Sequence, residues 1–144
     1  MQTRRVWLAA AGCYFAVSAG NPALSQSSSL PAIVRTDGIY QAPSDQSNTF
    51  SYLRFYRDGA VSQCTSTGKP EDVAKWLSKT HAYSSHGMSA SDGKTISFVT
   101  KSKSAVVDYD GTVEKDAMAL KSYSHATKFR GTYRYRFIPV TFGN

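Results

Sequence analysis

Between Asp37 and the last few residues, apolar and polar side chains alternate with a period of two in one short segment after another. In TISFVTK, Ile96 and Phe98 share a face opposite Thr95, Ser97 and Val99. In AMALKSYS, Met118 and Leu120 alternate with Ala119 and Lys121. In RGTYRYRFIPV, Tyr133, Tyr135 and Phe137 alternate with Arg134 and Arg136. A strand sends successive side chains to opposite faces, so each segment carries one apolar and one polar face, the pattern of antiparallel sheet.

Eight such segments are predicted as strands, over 38–42, 49–57, 60–65, 82–89, 95–101, 105–113, 117–124 and 130–140. Turn residues separate them, among them Asp58-Gly59 and the SDGK stretch at 91–94. Connections this short pair sequential neighbours into a meander, and eight strands close most economically into an up-and-down barrel without exposed edges. One interruption breaks the alternation. Pro70, early Glu71 and Asp72, and later Lys75 and Lys79 are the residues a helix favours at its two ends. Val73, Trp76 and Leu77 fall on one side of it, so a short amphipathic helix over about 70–79 is predicted between strands 3 and 4. An open barrel end is the expected place to bury that side, with Trp76 as a cap.

The N-terminus reads as an export signal. Arg4 and Arg5 precede the apolar run Val6–Ala19, and Ala23 and Ser25 offer the small residues a signal peptidase reads, predicting cleavage before Gln26. LAAAGC, ending at Cys13, offers a rival lipoprotein-type cut. Residues 26–36 are Ser-rich and aperiodic and read as a flexible leader, leaving 37–144 as a single barrel domain. A periplasmic or extracellular location follows. Cleavage removes Arg4, Arg5 and Cys13, so the formal charge falls from +7 to +5 and Cys64 is left with no internal disulfide partner. The fold must then stand on its core, and a basic domain favours anionic partners or simply stays soluble.

The organisation resembles the lipocalin-like, or calycin, group of barrels. Those proteins begin the barrel with Gly-x-Trp and lay an Arg of the last strand over that Trp. Here Gly38 and Tyr40 stand near the start, and Arg134 or Arg136 lies on the last strand. The resemblance implies a barrel that holds a small ligand.

The residues point to no catalytic site, metal site or cofactor. His81, His86 and His125 lack ligand spacing. Asp108 and Asp110 share a strand face, which could serve acid–base chemistry but reads more simply as a solvated face, with Val107 and Tyr109 inward. No Gly-x-Ser-x-Gly, phosphate loop or nucleic-acid motif is present, so a nucleic-acid partner is not expected. The expected function is therefore a noncatalytic, exported binding protein for a small apolar or amphipathic molecule. Tyr40, Phe55, Trp76, Phe98, Met118 and Leu120, with Tyr133, Tyr135 and Phe137, are the candidate ligand contacts. Lys121, Arg130, Arg134 and Arg136 are candidates for an anion-binding face. An envelope interaction protein with a filled barrel, and a small outer-membrane barrel, are the alternative readings.

Overall fold

The computed structural model describes residues 33–142. The predicted signal and the Cys13 alternative lie outside the described residues. The chain forms a closed barrel of eight antiparallel strands in sequence order, β1-β2-β3-β4-β5-β6-β7-β8, with the last strand paired to the first. The strands are β1 Gly38–Pro43, β2 Phe50–Phe55, β3 Ala60–Ser66, β4 Ser85–Ser91, β5 Thr95–Lys101, β6 Val106–Glu114, β7 Ala117–Ser124 and β8 Arg130–Pro139. A single helix among the described residues, α1 Pro70–Trp76, lies between β3 and β4.

The alternation read from the sequence becomes the inside and outside of the wall. Tyr135 and Phe137 are buried on β8 while Arg134 and Arg136 are exposed. Tyr40 and Phe137 meet edge to face at 5.2 Å, as do Tyr40 and Phe55 at 5.6 Å and Phe55 and Phe98 at 5.6 Å. Phe98 then stacks on Tyr109 at 4.7 Å. Such pairs add about 0.5–1.5 kcal/mol each beyond the area they bury. Two glycines are needed by geometry. Gly59, at φ 92, closes the β2–β3 turn after a hydrogen bond from its N–H to Tyr56 O. At Gly38 a Cβ would lie 2.2 Å from Ile138 O, so only glycine lets β1 approach β8 this closely.

The barrel floor is sealed by the segment before β1. Ile33 and Val34, expected in the flexible leader, pack into the core, with Val34 only 3% exposed. Arg35 fastens them. Its guanidinium donates to Asp37 at 2.7 and 3.1 Å and to Asp116 at 2.7 Å, and lies 4.0 Å over the Phe137 ring. The folded domain therefore begins ahead of the expected boundary at Asp37, because the aperiodic stretch still carries two apolar residues that the floor can bury.

The helix departs from expectation in place and length. It lies on the outside of the barrel, where Val73, Ala74 and Leu77 cover Ile39, Tyr52 and Cys64 from the outward faces of β1–β3. Those outward residues are apolar, so a face that alternation assigns to solvent needs a cover. Trp76 points away and is 38% exposed, with its ring 4.8 Å from that of His81, so it caps no barrel end. The helix stops three residues short of the predicted Lys79 because side chains of the wall take up the next carbonyls. Arg54 Nη1 donates to Leu77 O at 2.7 Å and Ser62 Oγ donates to Ser78 O at 2.9 Å. His81–Ser84 then form a turn in place of the predicted start of strand 4, with Ser84 N–H donating to His81 O.

Candidate functional site

The volume of the inward side chains divides the barrel into a solid lower half and a hollow upper half. Below, Tyr40, Leu53, Phe55, Ile96, Met118 and Leu120 are each 0–2% exposed and fill the interior. Above, the same inward positions carry small or polar residues: Ser51 on β2, Gln63 and Thr65 on β3, Ser85 on β4, and Ser122 and Ser124 on β7. Side chains this short cannot meet across the barrel, and a cup of about 760 Å³ remains. The β1–β2 loop supplies Ser44, Asp45, Gln46 and Thr49 to its rim, and the β7–β8 loop supplies Phe129. Tyr109, Tyr133 and Tyr135 form the aromatic part of its lining.

Hydrogen bonds hold several of these groups in place. Ser51 Oγ and Tyr135 OH are 2.8 Å apart, and Gln63 Nε2 donates to Ser51 Oγ at 3.1 Å. Tyr133 OH donates to Asp45 Oδ2 at 2.5 Å, joining β8 to the rim loop. Thr100 Oγ1, buried beside Tyr109, is left without a hydrogen-bond partner of good geometry. Desolvation by burial pushes the phenols of Tyr109 and Tyr133 up to about 12, with the Asp45 carboxylate adding to the effect at Tyr133. Tyr135, more deeply buried, is raised further. All three stay protonated at neutral pH, so they act as neutral hydroxyls. Among the described residues no lysine or arginine lines the cup.

Of the nine candidate ligand contacts, Tyr133 and Tyr135 line this cup. Tyr40, Phe55, Phe98, Met118, Leu120 and Phe137 belong to the packed core, and Trp76 sits outside the barrel. The serines and threonines of the lining, with Gln63, were missed by reading apolar residues as the only inward ones; Tyr109 was expected to face inward but not to contact ligand. The signal was present: continuing the parity of Met118 and Leu120 along β7 points Ser122 and Ser124 inward.

The four basic candidates do share the outward face of β7 and β8, but three of them are engaged. Arg134 pairs with Glu114 at 2.7 Å, and Arg136 donates to Gln41 Oε1 at 3.0 Å. Arg130 lies over the Tyr123 ring at 4.5 Å, while Lys121 stands across from Asp110. The lipocalin-like contact of a last-strand arginine with Tyr40 is absent among the described residues. The arginine against an inward aromatic is Arg35, which comes from the opposite end of the chain and covers Phe137.

Asp108 and Asp110 also point outward, and Asp108 accepts from His125 Nε2 at 2.8 Å. His86 hydrogen-bonds Ser62 Oγ and His81 O, linking β4 to the segment after the helix. Among the described residues no His, Cys, Asp and Glu side chains gather as a metal site, and no helix is long and apolar enough to cross a membrane. A second hollow of about 500 Å³ lies on the outer wall, where small residues such as Ser97 and Ala119 leave Asp110 and Lys121 standing proud. Comparison of the chain with family models, with curated proteins and with solved structures finds no match.

Proposed function

We propose that this protein is an exported, noncatalytic binding protein that holds a small amphipathic molecule in the upper half of its barrel. The observation that carries the proposal is the hollow cup of about 760 Å³, within the range small-molecule sites occupy. Its lining joins aromatic faces to hydroxyls, so a ligand with both apolar and polar surface fits best. The noncatalytic part of the reading rests on the cup's chemistry. Its tyrosines are neutral and protonated, and the paired carboxylates Asp108 and Asp110 stand on the outer wall. A lipid-facing barrel is disfavoured by the charged outward residues of β6–β8, since charge on a lipid face near the bilayer midplane costs about 2–4 kcal/mol per Lys or Arg.

A thermal-shift screen of small molecules against the wild type and Ser124→Trp tests the proposal. A cup ligand raises the midpoint by mass action in the wild type and has no effect once tryptophan fills the cup. Stabilisers that act equally on both proteins would contradict it.

A further inference from the structure

We infer that the cup takes a neutral, polyhydroxylated ligand, a short saccharide, in preference to an acyl chain; this rests on the binding reading above and narrows it. Three features of the lining converge. First, the charge is wrong for an anion. Among the described residues no lysine or arginine lines the cup, and the one carboxylate that does, Asp45, already accepts from Tyr133. An anionic headgroup would be desolvated there without a counter-charge.

Second, the polar groups are of the kind that both donate and accept. Ser51, Gln63, Thr65, Ser85, Ser122 and Ser124 come from four different strands and face one space. Ser51, Gln63 and Thr65 partly satisfy one another, and an acyl chain would strip water from the donor and acceptor capacity that remains, at about 1–3 kcal/mol for each group left unpaired. A ligand whose own hydroxyls donate and accept at many points can satisfy them together.

Third, aromatic surface stands among the hydroxyls. Half-buried Tyr133 and exposed Phe129 present their rings to the cup, while Tyr109 and Tyr135, almost wholly buried, reach it only at their edges. A pyranose ring has this two-sided character, with C–H bonds on its faces and hydroxyls around its rim. The cup's volume of about 760 Å³ accommodates more than one such ring.

The test uses protein labelled with ¹³C in its tyrosine rings, titrated in turn with maltotriose, cellotriose, chitotriose, lactose and, as the contrasting probe, dodecanoate. At least one saccharide is expected to shift the Tyr109, Tyr133 and Tyr135 resonances saturably. Ser122→Val is expected to weaken that binding about tenfold, by removing a hydroxyl from the wall, with its thermal midpoint kept as evidence of folding. Saccharide shifts that persist undiminished in a folded Ser122→Val would overturn the inference. If dodecanoate moves the three tyrosines and no saccharide does, the saccharide inference fails while the binding reading stands. If no probe moves them, and the thermal-shift screen also finds no cup ligand, both fail.

Discussion

Arg35 joins three separate parts of the molecule. It binds Asp37 ahead of β1 and Asp116 in the β6–β7 turn, and it covers Phe137 on β8. The guanidinium holds the Asp37 carboxyl below its ordinary value of 3.8. A carboxyl whose folded pKa is depressed contributes stability that is present in full above the unfolded pKa and lost as pH falls through the folded one. The midpoint of Arg35→Gln should therefore fall below the wild type's at neutral pH, and that gap should narrow as the pH is lowered beneath about 4. Thermal melts at neutral and strongly acid pH check this, and a gap independent of pH would leave only the ring contact as the residue's role. Cys64 makes the second residue-scale prediction. Burial under α1 pushes its thiol up to about 12, so it should resist thiol reagents at pH near 8 in the folded protein and react at once after unfolding. A native dimer linked through Cys64 would contradict that placement.

At the scale of elements, α1 is a plate bolted to the barrel wall. Leu77, 0% exposed at its end, should cost about 2–5 kcal/mol on truncation to Ala. Trp76→Ala should cost clearly less than Leu77→Ala, since the indole is 38% exposed and packs beside the His81 ring outside the barrel. Denaturant melts of the two variants separate this arrangement from a barrel-end cork, which would make Trp76 the costly one. The strands were legible in the sequence because alternation and turn residues are local signals: β5 and β7 begin and end where the pattern places them, and β8 closes on β1. The helix could be seen, but its site could not. Nothing local shows that the outward residues Ile39, Tyr52 and Cys64 form an apolar patch, since they become neighbours only when β1, β2 and β3 pair. The premature end of α1 is hidden for the same reason, because Arg54 on β2 and Ser62 on β3 reach the carbonyls that follow the helix.

Across the whole molecule, one wall serves two purposes according to height. Large inward side chains below make a core that stabilises a domain with no disulfide among its described residues, and small inward side chains above leave room. The division was partly legible. Strand parity identifies which residues face inward, but the height at which each one sits depends on register, and register emerges only from pairing. Tyr109, for instance, is level with Ser122 on β7 and Phe98 on β5, which places it between cup and core. The central claim is that the upper half is an open, polar-walled cup over a packed floor. A crystal structure of protein purified from its natural host tests it most directly. The account predicts ordered water or ligand density bounded by Ser51, Ser122, Tyr109 and Tyr133, and none among Tyr40, Phe55 and Leu120. An upper half closed by collapsed side chains, with Phe129 and the rim loop folded into it, would contradict the account.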